Sequence, residues 1–300
     1  MKNLTTAQYV ANKYNEYVVR EEMTLMDFLN VQMHGISRNR LKDILKGHGV
    51  NVDRKLVTQY DYQLRPGMVV SVSKHRRSTE LSSKWIKIIY EDKDIIIIEK
   101  NAGILSMAAT AKQFCVKTIL DEYFQKRHFK CHAHVVHRLD RDTSGLMIYA
   151  KSIEAAQILE RDWKNRVFDR RYIAVVSGKM EREGGTIENW LKDNKVCVTY
   201  SSPTDNGGKL AVTHYRVDMT ADDISLVELR LETGRKNQIR VHMADIGHPV
   251  LGDTKYGNGR DPLHRLCLHA YRLFLYHPMT GVRMEFETPY PASFVNLFNN

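Results

Sequence analysis

The segment of this chain richest in reactive side chains is His137-Arg138-Leu139-Asp140-Arg141-Asp142-Thr143-Ser144-Gly145. Asp140 has arginines at 138 and 141 close by. A free aspartyl carboxyl, pKa ~3.9, is ionised at neutral pH, and neighbouring guanidinium groups favour the charged form. Such a group suits a nucleophile or a base better than a general acid. It precedes the strand-like GLMIYA, so it sits in a loop where a side chain is held firmly yet stays open to a ligand. Taken by itself, an aspartate in Arg-Leu-Asp is more often an ion pair or an Asx turn than a catalyst. His132, His134 and His137 have a spacing that could supply metal ligands. In an extended segment 132 and 134 share a face, 137 does not, and no Glu or Cys completes the set. No metal is expected, and His137 is read as orienting the loop. Cys115, Cys131, Cys197 and Cys267 are scattered without a C-x-x-C pair, which predicts neither a disulfide framework nor a zinc site. No phosphate-cradling Gly-rich motif opens a helix, so Gly145, Gly234 and Gly247 read as backbone-geometry residues.

The elements that must position Asp140 are mostly strands. IKIIYEDKDIIIIEK reads as a hairpin turning at Glu91-Asp92-Lys93-Asp94. GLMIYAKS leads into a helix starting near Ser152, with Ala155, Leu159 and Trp163 at i, i+4 and i+8. RRYIAVVSG is a further strand, and THYRVD and ISLVELRLE form a second hairpin around residues 220–223. QIRVHMADIG is a short helix ending at Gly247, and LFLYHP and RMEFETP close the chain as strands. Strand-helix alternation is not sustained, so a doubly wound sheet is not expected. The expectation is an α+β domain on a mixed, mainly antiparallel sheet.

Ahead of it, residues 20–73 read as a smaller α/β unit. Thr24 and Asp27 make a capping-box-like start to a helix carrying Leu25, Phe28 and Leu29 on one face. A second helix starts near Ser37, buries Leu41, Ile44 and Leu45, and stops at Gly47 and Gly49. Arg38, Arg40, Lys42 and Lys46 occupy its other faces. Two short strands follow, with the turn Arg65-Pro66-Gly67 between them. SKHRRSTELSSK at 73–84 is polar and basic and reads as a linker, giving domains at 1–80 and 81–300. The net charge of +10 and a pI near 9.3 favour a polyanionic partner. No apolar run approaches the ~18 residues of a membrane span, and the N-terminus lacks the apolar stretch of a secretory signal, so a cytoplasmic monomer is expected.

Two resemblances sharpen this. ISRNRLKDILKGHGVNVDRKLVTQYDYQLRPGMVVSV is similar to the RNA-binding module named after small-subunit ribosomal protein S-four. In that module the basic face of the second helix meets RNA phosphates, which implies RNA contacts for Arg38, Arg40, Lys42 and Lys46. HRLDRDTSG resembles the motif of the RluA-class pseudouridine synthases, and further blocks match in order. These are IIYEDKDIIIIEKNAGIL, RRYIAVVSG, GGKLAVTHYRV, LETGRKNQIRVHMADIGHPVLGDTKYG and LCLHAYRLFLYHP, covering most of 85–290. The resemblance implies isomerisation of uridine in RNA without a cofactor. Asp140 would attack the sugar or the base, or remove a sugar proton. Tyr172 would pack on the uracil and help remove its carbon-5 proton, and Arg240 would pair with Asp140. Arg138 would fill the stack that a flipped uridine leaves or hold a phosphate, Leu231 would line the uracil pocket, and Arg235 and Lys236 would contact the RNA backbone. Ribosomal RNA of the large subunit is the implied substrate, with transfer RNA as second choice. The competing readings are a non-catalytic RNA-binding or ribosome-assembly protein, and a glycoside hydrolase using Asp142 as a second carboxylate. Two positions depart from the family pattern: Asn101 stands where proline is usual, predicting a looser turn, and Asn237 where histidine or threonine is common. Neither is expected to touch the catalytic set.

Overall fold

The computed structural model describes residues 14–34, 36, 38–46, 50–53, 55–73, 81, 83–108, 110 and 113–299. The chain divides into two compact units, residues 1–82 and 83–300.

The first unit runs β1 (Tyr14–Val18), β2 (Met23–Thr24), α1 (Leu25–Gln32), α2 (Arg38–Lys46), β3 (Val50–Val52), β4 (Lys55–Leu56), β5 (Gln63–Leu64) and β6 (Val69–Ser73). Thr24 caps α1: its Oγ1 accepts the Asp27 N–H at 3.2 Å and donates to the Asp27 carboxylate at 2.6 Å. Leu25, Phe28 and Leu29 of α1 and Leu41 and Leu45 of α2 share one core with Val50, Val70 and Val72 of the sheet β1-β6-β3-β4. That leaves Arg38 and Lys42 exposed on α2. Ser37 as helix start, Gly47 and Gly49 as helix stop, the side chains of Arg40 and Lys46, and most of the 73–84 linker lie outside the described residues.

The second unit is built on an 11-stranded sheet. Its elements are β7 (Ile86–Glu91), β8 (Ile95–Lys100), α3 (Val116–Lys126), β9 (His134–Val135), β10 (Ser144–Ala150), α4 (Ile153–Arg161), α5 (Trp163–Arg166), β11 (Val167–Ser177), β12 (Gly184–Asp193), β13 (Thr199–Ser202), β14 (Lys209–Thr220), β15 (Ile224–Leu231), α6 (Gln238–Asp245), β16 (Leu268–Tyr276), β17 (Arg283–Glu287) and α7 (Ala292–Val295). The strand order is β13-β12-β14-β15-β11-β16-β10-β8-β7, with β17 paired to β16 and β9 to β10. Every pairing is antiparallel except β10 with β16, so the α+β, mainly antiparallel expectation holds. Ile95 to Ile98 are fully buried because β8 lies inside the sheet. On one side, Ile95, Ile97, Leu146 and Ile148 pack under Ala155 and Leu159 of α4. Trp163 does not continue that helix. α4 ends at Arg161, Asp162 takes a non-helical conformation, and Trp163 opens α5.

The parallel contact of β10 with β16 begins at the end of the Asp140 loop, and Gly145 permits it. Its φ is +124°, and a Cβ there would lie 2.2 Å from the Ala270 carbonyl oxygen. Sequence patterning did not reveal α3, the β12–β13 hairpin, or the short helix that ends the chain after β17. Among the described residues, no helix is long and apolar enough to cross a membrane.

Candidate active site

Residues 136–143, between β9 and β10, carry Asp140 at the edge of a cavity of about 410 Å³, within the usual range for a small-molecule site. The loop is fixed from beneath. Ser106 Oγ donates to the Leu139 carbonyl at 2.6 Å and accepts the Leu139 N–H at 3.1 Å. Lys100 is completely buried, and its ammonium donates to the carbonyls of Ile104 (2.8 Å), Arg141 (2.9 Å) and Asn101 (3.0 Å). Burial pulls its pKa down to about 8, while the charges of Asp142 and Asp140 work the other way. Three carbonyl acceptors match the three donors of an ammonium, so Lys100 ties the Asp140 loop to the 101–104 turn. His137 accepts the Ile148 N–H through Nε2 at 3.0 Å and stacks on Trp163. Its burial, reinforced by the charge of Arg170, lowers its pKa to about 3, so the ring is neutral.

Arg240 extends from α6 toward Asp140. Its Nη1 is 3.8 Å from Asp140 Oδ2, an ion pair without a hydrogen bond. The guanidinium is held instead by Asp253, whose side chain is wholly buried: Nε to Oδ2 is 2.7 Å and Nη2 to Oδ1 is 2.6 Å. Burial alone would raise the pKa of Asp253. The Arg240 hydrogen bonds and the backbone N–H groups of Tyr256 and Lys255 overcome it and hold the carboxyl below its ordinary pKa. Asn237 supplies a third anchor, its Oδ1 accepting from Arg240 Nη1 at 3.0 Å. This corrects the expectation that the departure at 237 leaves the catalytic set untouched. Asn237 also adopts the left-handed region at φ 53°, which asparagine tolerates better than a β-branched residue. Its Nδ2 reaches the Tyr256 hydroxyl at 3.2 Å, tying the N-terminus of α6 to the 250s loop. Sequence reasoning missed Asp253 altogether, and of Asn237 it missed the contact with Arg240. The signal for Asp253 is the aspartate in GHPVLGDTKYG, which nothing in periodicity marks as a partner of Arg240.

Tyr172 of β11 is buried in the cavity wall. Burial raises its hydroxyl pKa, the Asp140 charge adds to this and Arg170 opposes it. The hydroxyl therefore stays protonated as a donor, and a standing phenolate base is disfavoured. Leu231, half-buried at the end of β15, lines the same cavity, and exposed Arg138 stands at its edge. Arg235 and Lys236 are exposed but not free: Arg235 Nε donates to the Leu210 carbonyl at 2.9 Å, and Lys236 Nζ contacts Asp193 at 2.8 Å and the Cys197 carbonyl at 3.1 Å. The cavity thus gathers Asp140, Tyr172, Arg240, Arg138, Leu231, Arg235 and Lys236. Arg38, Arg40, Lys42 and Lys46 belong to the first unit. Asp142 lies outside the cavity wall, and its carboxylate is taken up by Arg141 at 3.1 Å, so it does not form a second reacting carboxylate with Asp140.

The histidine spacing does not gather a metal set: His137 is committed to Ile148 and Trp163, and His132 faces Asp121 at 3.7 Å. Among the described residues Asp92, Asp94 and His277 do lie together. There the His277 Nδ1 accepts two backbone N–H groups, so its Nε2 carries the proton donated to Asp92 at 2.9 Å. That nitrogen has no lone pair for a cation, and the cluster locks the β7–β8 turn. The turn at Asn101 is also tight rather than loose. Its N–H donates to the Trp85 carbonyl at 2.8 Å and its Nδ2 to the Lys84 carbonyl at 2.6 Å, neither of which a proline could do.

Comparison with known proteins identifies the family. The family model described as RNA pseudouridylate synthase matches residues 94–245. The chain is 37% identical over 270 residues to a Bacillus subtilis (strain 168) protein named uncharacterized RNA pseudouridine synthase YjbO, covering 88% of this chain and 94% of the relative. It is 36% identical over 282 residues to ribosomal large subunit pseudouridine synthase D of Haemophilus influenzae, covering 88% and 86%. Among solved structures, the human RNA pseudouridylate synthase domain containing 1 superposes with a TM-score of 0.56 at 27% identity, over 68% of this chain and 83% of that one. The chain belongs to the RNA pseudouridine synthase family, and its activity is the isomerisation of uridine in RNA.

Proposed function

We propose that this protein converts uridine to pseudouridine in large-subunit ribosomal RNA, acting as a cytoplasmic monomer, with Asp140 as nucleophile and the target base flipped into the cavity. The observation that carries the reading is the placement of a partly exposed Asp140 carboxylate 3.8 Å from an arginine that is itself clamped by Asp253. An ionised carboxylate beside a fixed positive charge needs no reorganisation when the reaction begins. Because Arg240 spends its short hydrogen bonds on Asp253 and Asn237, Asp140 keeps its lone pairs for the substrate.

The reaction breaks the bond from N1 of uracil to the ribose, turns the base, and joins carbon 5 to the sugar. The carbon-5 proton leaves and N1 gains one, so the exchange is redox-neutral. Side chains of this chain suffice for it, and no cofactor enters the proposal. Tyr172 and Leu231 offer the uracil an aromatic and an aliphatic wall. Arg138, at the cavity edge, has the planar shape to replace the flipped base in its stack, offsetting part of the few kcal/mol that unstacking costs. The first unit, read as a module like that of ribosomal protein S-four, adds phosphate contacts through Arg38 and Lys42, with Arg40 and Lys46 on the same helix.

Large-subunit ribosomal RNA is favoured because ribosomal large subunit pseudouridine synthase D of Haemophilus influenzae matches over 88% of the chain. The test offers the purified protein unmodified large-subunit ribosomal, small-subunit ribosomal and transfer RNA, and maps pseudouridine in each. Product confined to the large-subunit RNA is expected; product confined to transfer RNA would overturn the substrate assignment.

A further inference from the structure

The cavity wall holds a cation that the reaction described above does not use. Arg170 and Tyr172, two residues apart on β11, face the cavity together. The opposite face of the same strand is neutralised. Arg171 pairs with Asp169 at 3.0 Å and Glu228 at 2.9 Å, and Arg272 with Asp169 at 3.3 Å. Arg170 is treated differently: among the described residues its side chain has neither an ion pair nor a hydrogen bond, although it is half-buried. An arginine in such a position ordinarily finds a carboxylate.

What it does have is a mount. Its guanidinium lies over the Trp163 ring, 5.5 Å from the centroid, and Trp163 stacks on His137 with centroids 5.0 Å apart. His137 is neutral, so the stack brings no second charge to repel the guanidinium. Gly234 is also close by: a Cβ there would come within 3.5 Å of Arg170 Nη1. The missing side chain leaves the fork lying over bare backbone. Of the other cavity cations, Arg240 is spent on Asp253 and Lys236 on Asp193, and Arg235 is tied through Nε to the Leu210 carbonyl. Lys164 and Arg138 are exposed and have rotamer freedom to lose. Arg170 alone is both uncommitted and pre-positioned.

We infer that Arg170 is a substrate-binding residue that grips a phosphodiester oxygen pair adjoining the flipped uridine, an assignment resting on the reading of this cavity as the uridine site. A planar guanidinium fits two phosphate oxygens in parallel. Its neighbourhood favours phosphate over uracil, because Gly234 beside it and Lys164 of the same cavity wall are exposed whereas Tyr172 and Ile239, the apolar part of the wall, are buried. The mount contributes orientation: an arginine held flat on Trp163 loses little freedom when the RNA arrives.

The test uses the full chain, Arg170→Gln and Arg170→Lys, and an unmodified large-subunit ribosomal RNA transcript. Turnover is measured by pseudouridine formation, and affinity by equilibrium binding across a series of salt concentrations. Arg170→Gln is expected to raise KM about tenfold with a smaller loss in kcat. It should also flatten the dependence of log Kd on log salt by about 0.7, the value for one phosphate contact on a single strand. Arg170→Lys should restore the salt slope and only part of the affinity, since it keeps the charge and loses the fork. Weakened binding with an unchanged slope would place the contact on the base and overturn the phosphate assignment. A loss confined to kcat would make Arg170 part of the chemistry instead. The binding arm needs no turnover, so absence of pseudouridine from the wild type would count against the proposed substrate while the slope still decides the role of Arg170.

Discussion

At the scale of single residues, the site is an arrangement of one arginine between two unequal carboxylates. Asp253, fully buried, takes the two short charge-assisted bonds, and Asp140, a quarter exposed, takes the remaining electrostatic influence at 3.8 Å. The inequality matters because a carboxylate locked in a bidentate bond is a poor nucleophile. Asp253→Asn is therefore predicted to harm the enzyme in two ways. It leaves Arg240, only 12% exposed, short of a charge partner, which costs on the order of 3–5 kcal/mol in such settings. It also frees Arg240 to swing onto Asp140, so kcat falls more than KM rises in whatever protein remains folded. Denaturant unfolding and steady-state kinetics on the same preparation check both parts. Asp140 and Arg240 were legible in the sequence as a resemblance, because they sit in motifs. Asp253 and Asn237 were not, because their role is set by a crossing of two loops that no local spacing encodes.

At the scale of elements, the Asp140 loop is as rigid as the pieces that hold it: Lys100 at the end of β8, Ser106 beyond it, and Gly145 at the start of β10. The strands themselves could be read from alternation and turn chemistry, including both hairpins and the helix capped by Ser152. The helix over 116–126 was overlooked because it lies in a stretch without a motif to draw attention. The apparent stripe Ala155-Leu159-Trp163 ran across a break at Asp162, since periodicity cannot see that the backbone turns aside to place Trp163 on His137. The departure at Asn101 offers a test at this scale. Asn101→Pro would remove the N–H bound to Trp85 and the side-chain bond to Lys84. Two modest hydrogen bonds give an expected loss of about 1–3 kcal/mol, read as a lower denaturant midpoint. Unchanged or greater stability would mean the asparagine contacts contribute nothing to the turn.

At the scale of the whole molecule, a basic chain of net charge +10 joins two units with separate cores. The account gives them different tasks, phosphate affinity in the first and chemistry in the second. Arg38→Gln with Lys42→Gln removes two exposed charges from α2 without touching its buried Leu41 and Leu45. The pair should lower RNA affinity and reduce the salt slope by roughly 1–2, about one per lost phosphate contact, with kcat on saturating RNA little changed. An unchanged slope would show that this helix does not meet the RNA. The central claim remains the chemical one, that a single carboxylate carries the isomerisation, and one comparison tests it most directly. Wild type and Asp140→Ala are incubated with unmodified large-subunit ribosomal RNA, and pseudouridine is quantified by mass spectrometry after nuclease digestion, with binding measured in parallel. The account predicts pseudouridine from the wild type, none from the variant, and RNA binding by both. Substantial pseudouridine from Asp140→Ala would contradict it.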